Sequence, residues 1–410
     1  MLKNKFAFTT WVYRNIDVYP PEELDRQVNS GINISMTSPF DHNNERHVAR
    51  IKEYLNKASE LGIQLILHCD FTLDYYVKLG KEEYSRQIVD FYENVLEKHP
   101  AVYGFFVSDE PNTTEDAEAV RQTIITMKEV MPNLMPYVNL MGSSAHLDES
   151  VFGGPHSEWI KKLQKDAGDF AVSYDMYSQM VNDGGGTTIY FGELKRNEKL
   201  CVDAGLVPIA CLICSAHMVF GMASEYDFGW QISTAAAAGY KGINWFRYYD
   251  SPIVPNYHAS PVDEFGNNTE RYYHMLRAQR RFSFQYGDII MKLKRKATYV
   301  FGEDRQRGAY PRFEQGTHDK IKDIRVGFEE SMVSFFEHED TGEEYMIIVN
   351  LSRKFYDHYE ILCADGYDVV EVLENGAREN KFRVLKSEDD DFEGEFLYPG
   401  QMTLIKIFKK

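Results

Sequence analysis

Tyr103-Gly104-Phe105-Phe106-Val107-Ser108-Asp109-Glu110-Pro111 is an apolar, half-aromatic run closed by two consecutive acids and stopped by a proline. It reads as a strand with a polar end. It is the fourth of eight such runs. The others cover residues 6–13, 32–37, 64–69, 136–140, 171–175, 207–213 and 243–246. The gaps between them each hold room for one helix, and several helices are legible. Val48, Ile51, Leu55, Ala58 and Leu61 form one apolar stripe, and Tyr84, Ile88, Phe91 and Val95 another. Ala117, Val120, Ile124 and Met127 form a third, opened by the capping candidates Thr113 and Thr114. Gly62, Gly205 and Gly242 fall between a helix and a strand, where a left-handed cap is expected. Eight β/α units in register predict a closed parallel (β/α)8 barrel over residues 1–295, with an open doubly wound sheet as the alternative.

The texture changes after Leu293. Residues 332–338 and 344–351 alternate like strands and are joined by Glu339-Asp340-Thr341-Gly342, a hairpin signal. A run at 369–373 ends at Asn375-Gly376, and residues 402–408 read as a closing strand. With no convincing amphipathic helix here, residues 296–410 are expected to form an antiparallel β-sandwich. The acidic run Glu388-Asp389-Asp390-Asp391 reads as a solvated loop.

Bulk properties narrow the function. The chain has 410 residues, 43% of them hydrophobic and 26% charged, with a formal net charge of −18. That length suits a barrel plus a smaller module, and that charge disfavours nucleic acid and anionic membrane surfaces as partners. The N-terminus lacks the apolar stretch of a signal peptide. The five cysteines are odd in number and irregularly spaced. Both point to a reducing, cytoplasmic location. Oligomeric state is not legible.

In a parallel barrel the reacting groups sit where strands end. Aromatic and polar side chains crowd those positions here: Trp11; His68 and Asp70; Asp109 and Glu110; Tyr137 and Asn139; Tyr174, Asp175 and Tyr177; His217; Trp245, Arg247 and Tyr248. Rings beside carboxylates suit a sugar, whose flat apolar face stacks on them while its hydroxyls need donors and acceptors. A carboxyl held in apolar surroundings beside another acid has a raised pKa, as a general acid near neutrality requires. The plainer reading of Asp109-Glu110 is an acid pair favoured by a helix dipole.

The Asp109-Glu110-Pro111 segment resembles the Asn-Glu-Pro that ends strand four in the retaining (β/α)8 glycoside hydrolases, the superfamily of family 42 β-galactosidases and family 5 glycanases. Asp replaces Asn. Ala235-Ala236-Ala237-Ala238-Gly239-Tyr240-Lys241-Gly242-Ile243-Asn244-Trp245-Phe246 is similar to their late helix and eighth strand, and Asp263-Glu264-Phe265-Gly266 followed by Thr269-Glu270 is similar too. The resemblance spans the barrel. It implies that Glu110 is the acid/base and that Asp109 takes the place of the Asn touching the hydroxyl beside the reacting carbon. An ionised Asp could only accept there.

That superfamily carries its nucleophile, a Glu, at the end of strand seven. Here Pro208-Ile209-Ala210-Cys211-Leu212-Ile213-Cys214-Ser215-Ala216-His217 holds no carboxylate. Asp175, ending strand six, and Glu225, in Ala223-Ser224-Glu225-Tyr226-Asp227, are equal candidates for the second acid. Glu225 could instead open a helix, and Asp175 could orient a neighbour.

Other motifs weigh less. Cys211 and Cys214 have a C-x-x-C spacing but no second pair, and an extended strand turns them to opposite sides. Asn182-Asp183-Gly184-Gly185-Gly186-Thr187-Thr188 lacks the ending of a phosphate loop and reads as a substrate loop. His146 and His156 fit ordinary surface positions. The expectation is a glycosidase acting on small oligosaccharides or glycosides without metal or organic cofactor. Trp11, Tyr137, Tyr177, Trp245 and Tyr248 would shape sugar subsites, Arg247 and Asn139 would hold hydroxyls, and His68 and Asp70 would also bind substrate. The alternatives are a metal-assisted lyase or isomerase using Asp109, Glu110, Asp175 and His68, and a non-catalytic carbohydrate-binding barrel.

Overall fold

The computed structural model describes residues 5–142, 145–181, 186–251, 257–301, 309–327, 330–386 and 391–410. Residues 182–185 of the glycine-rich stretch, residues 388–390 of the acidic run and the His146 side chain lie outside that description. Gly186-Thr187-Thr188 open the helix Gly186–Asp203.

Eight parallel strands form the expected barrel: β1 Ala7–Thr10, β2 Ile34–Met36, β3 Gln64–Leu67, β4 Val102–Asp109, β5 Tyr137–Leu140, β6 Ala171–Asp175, β7 Ile209–Ile213 and β8 Gly242–Phe246. The pairing runs β1-β8-β7-β6-β5-β4-β3-β2. Asn33 closes the ring: its N–H donates to Phe8 O, and its Oδ1 accepts from Phe8 N, both at 3.0 Å. Helices cover the outside. The helix Glu45–Leu61 buries Ile51, Tyr54, Leu55 and Ala58, starts on the Asn44 side chain and ends at Gly62 with φ +68°. Thr113 caps Thr114–Val130 through Asp116 N.

The expected left-handed cap at Gly242 is instead at Gly239, with φ +98°. Gly242 is already in strand β8, where close approach matters: a Cβ there would stand 2.9 Å from the Ala7 Cβ.

Beyond the barrel, strands β9 Leu293–Phe301, β10 Ile321–Val326, β11 Ser331–His338, β12 Glu344–Asn350, β13 Asp357–Cys363, β14 Tyr367–Leu373, β15 Arg378–Asn380, β16 Arg383–Lys386, β17 Asp391–Leu397 and β18 Met402–Lys409 form two antiparallel sheets. One has the order β9-β11-β12-β18-β14-β15 and the other β10-β13-β17-β16. Phe335, Met346, Ile348 and Ile405 of the first pack with Ile324, Tyr359 and Ile361 of the second. The barrel docks on the larger sheet. Trp230, in helix Glu225–Ala237, is 1% exposed and donates its indole N–H to Leu351 O.

The site depends on which side chains turn inward. Strand parity sends Tyr137, Asn139, Ser173, Asp175 and Cys211 into the lumen, and Val138, Val172, Tyr174 and Leu212 towards the helices. In β4 a register irregularity between Phe106 and Ser108 sets Asp109 opposite Asn139.

Candidate active site

Four adjacent strands assemble the polar centre. Register pairs Asp109 with Asn139, Asn139 with Ser173, and Asp175 with Cys211. The Asn139 amide nitrogen donates to Asp109 Oδ1 at 2.9 Å and to Asp175 Oδ1 at 2.8 Å. A relay beneath fixes that orientation. Asn244 Nδ2 donates to Tyr137 OH, Tyr137 OH lies 2.7 Å from Ser173 Oγ, and Ser173 Oγ donates to Asn139 Oδ1. With its carbonyl oxygen so engaged, Asn139 can offer only N–H groups to the carboxylates.

Glu110 lies just beyond β4. Its N–H donates to Asn139 O at 2.9 Å, and its φ of +45° is in the left-handed region that a side chain disfavours. This turn brings its carboxyl beside the Asp175 side chain. Asp175 also accepts from Tyr177 OH at 2.9 Å, and Tyr177 OH lies 3.2 Å from Cys211 Sγ.

Burial first, then the hydrogen bond and charge of Asp175, raise the Glu110 pKa well above the carboxylate range. Burial also raises Asp175, but the hydrogen bonds from Glu110 and Asn139 favour its ionised form. Asp109 is crowded by protein on all sides but the mouth, through which solvent reaches it. Desolvation pushes it to about 6 against the pull of Asn139.

Rings wall the mouth. Tyr13 stacks on Trp11 at 5.5 Å with planes 6° apart, and Phe246 stacks on Tyr177 at 5.9 Å. His68 packs against Phe106 at 4.3 Å, and burial lowers its pKa to about 4, so its imidazole is neutral. Arg247 lies between Tyr13 and Tyr257, with its Cζ 5.3 and 4.9 Å from their ring centres.

Several expected contributors stand elsewhere. Trp11 and Tyr137 are each 1% exposed, so they support the surface from beneath. Trp245 faces the helices and donates to Gln279 Oε1, because residues 243 and 245 share the outward parity of β8. Tyr174 meets His156 on the helical side, and the Tyr248 hydroxyl meets Ser30 Oγ. His156 is accordingly buried rather than on the surface.

Glu225 is not with Glu110. It stands in the first turn of helix Glu225–Ala237, which opens on a Ser224–Asp227 capping box, and both its oxygens take Arg277 at 2.9 and 2.7 Å. Asp70 accepts from His42 Nδ1 at 3.1 Å, beside a cleft of about 740 Å3 shared with Asp41, His47, His68 and Tyr75. Among the described residues, Asp41, His42 and Asp70 are the one group of three that could hold a metal. Asp109, Glu110, Asp175 and His68, the set required by the lyase alternative, do not converge on such a point.

Sequence reasoning missed Tyr13, Ser173, Tyr257 and the lumen position of Cys211. The same parity that made Trp11 visible also carries Tyr13. Tyr257, in the loop after β8, has no local signal.

No described protein family and no curated protein matches the sequence. Solved structures do match the fold. A structure described as a glycoside hydrolase aligns over 100% of this chain and 96% of its own, at 9% identity and a TM-score of 0.57. A β-galactosidase from Rahnella sp. R3 aligns over 72% of this chain and 58% of its own, at 12% identity and a TM-score of 0.53. A glucosidase from Croceicoccus marinus aligns over 100% and 96%, at 11% identity and a TM-score of 0.51. At such identities the likeness is one of fold: this chain has the barrel architecture of glycoside hydrolases. No helix among its described residues is long and apolar enough to cross a membrane.

Proposed function

We propose that this protein hydrolyses an O-glycosidic bond, with Glu110 as proton donor and Asp175 as the second carboxylate. The observation that carries this reading is the approach of the Glu110 and Asp175 side chains to one another at a ring-walled barrel mouth. Burial and the neighbouring Asp175 hold Glu110 towards its protonated form, which acid-assisted acetal cleavage needs of its proton donor.

In the first step Glu110 gives its proton to the leaving oxygen while Asp175 bonds to the anomeric carbon. Glu110, now a carboxylate, then takes a proton from water, which attacks that carbon and releases Asp175. This is the retaining course, in which the two carboxyls stand ~5–5.5 Å apart, rather than the inverting one, which needs ~6.5–9.5 Å to admit a water. Asn139, holding both Asp109 and Asp175, fixes the nucleophile and presents Asp109 to a neighbouring hydroxyl. Tyr13, half-buried above Trp11, offers the stacking face for the ring.

The test is a screen of chromogenic aryl glycosides with the wild type and Glu110→Gln. A glycosidase loses about 10²-fold or more in kcat with that change. Release of chromophore at equal rates by both proteins would defeat the assignment.

A further inference from the structure

The acids of the mouth lie on the β4 and β6 side, whereas the β8 side presents a cation. Arg247 is 5% exposed. Its Nε donates to Tyr249 O at 2.9 Å, and two tyrosine faces flank its Cζ. Among the described residues it forms no ion pair and its terminal nitrogens have no hydrogen-bond acceptor. Asp250 attracts it from a distance, but Asp250 Oδ1 is taken by Ser260 N–H, and Arg14 repels it.

Three other enclosed arginines are answered by acids, whereas half-buried Arg14 donates to the Asp250 and Glu264 carbonyls. Arg295 meets Glu198 at 2.5 Å, Arg353 meets Asp227 at 3.4 Å, and Arg121 meets Glu118 and Asp166. A desolvated guanidinium without an acid is costly, and its planar fork of donors fits one carboxylate or one phosphate. Neutral hydroxyls would leave the charge uncompensated. Tyr13 links the two ends of the site, because its hydroxyl feels Asp109 and Asp175 on one side and Arg247 on the other.

We infer that the natural substrate is an acidic glycoside whose anionic substituent, a carboxylate or a phosphate or sulfate ester, is received by Arg247 between Tyr13 and Tyr257. The inference rests on the glycosidase reading only for the word glycoside; the anion site stands without it.

Binding of glucose, glucuronate, galacturonate and glucose 6-phosphate is measured by calorimetry on the wild type, Arg247→Gln and Arg247→Lys, with melting curves confirming that the variants fold. At least one acidic sugar is expected to bind about tenfold or more tightly than glucose, with a preference that weakens in salt. Arg247→Gln abolishes that preference and Arg247→Lys restores part of it. Tighter binding of the uronates assigns a carboxylate, and tighter binding of the phosphate assigns an ester. Absence of any charged-over-neutral preference, or its survival in Arg247→Gln, overturns the inference. The aryl glycoside screen, extended to glucuronides and galacturonides, keeps the two readings apart. Acidic sugars bound through Arg247 with no glycoside cleaved would sink the hydrolase reading alone. Neutral glycosides cleaved with no acidic preference would sink this one alone.

Discussion

Glu110 and Asp175, 65 positions apart in sequence, bring their side chains together, one from the turn after β4 and the other from the end of β6.

Asp175→Asn removes the charge that would attack the anomeric carbon and keeps the shape. Steady-state kinetics should show kcat down about 10²-fold or more. Glu225→Gln, which only loosens an exposed pair with Arg277, should stay within about twofold of wild type. An inactive Glu225→Gln beside an active Asp175→Asn would reverse the assignment. Product followed by NMR from the first turnovers should keep the substrate's anomeric configuration; an inverted product would remove Asp175 as nucleophile.

The raised Glu110 pKa has a stability consequence with a definite sign. Between the ordinary carboxylate value and the folded value of about 8, the folded protein holds a proton that the unfolded chain has lost. Stability therefore falls as pH rises through that window. Glu110→Gln, which cannot ionise, should melt higher than wild type at pH 8–9, and the gap should shrink towards pH 4–5. An equal gap at both ends would mean that the carboxyl is not strained by its surroundings.

Asn139→Ala should lower kcat without unfolding the barrel, because Asp109 and Asp175 both lose an N–H donor. Loss of a hydrogen bond from a buried partner costs about 1–3 kcal/mol. The Asp175 carboxyl should then titrate higher, moving the acid limb of the kcat profile to higher pH. An unmoved limb would limit Asn139 to packing.

Gly104→Ala tests the barrel itself. A Cβ at 104 would stand 1.7 Å from Met135 O. Backbone cannot yield as a side-chain tip does, so the cost should be about 1–3 kcal/mol or more, read as a drop in denaturation midpoint. Gly80→Ala has open space but φ +74°, so its smaller cost would come from backbone strain alone.

Much of this was readable along the chain. Apolar runs alternating with helical stripes specify eight β/α units, because each strand and each helix must bury a patterned face. Two acids ending such a run mark Glu110, because strand ends face the mouth. The direction of the rings was not readable. Strands such as β8 are covered on both faces, so Asn244-Trp245-Phe246 carries no polar alternation to say that Phe246 enters the lumen and Trp245 leaves it.

Local sequence thus determined the barrel, the succeeding antiparallel strands and the acid at position 110, since those follow from the periodicity and chemistry of neighbouring residues. Only the folded chain decided that Asp175 and not Glu225 adjoins Glu110, that Asn139 ties Asp109 to Asp175, and that Arg247 goes without an acid. Those are relations between residues on different strands, set by the register and closure of the sheet, which no short segment encodes.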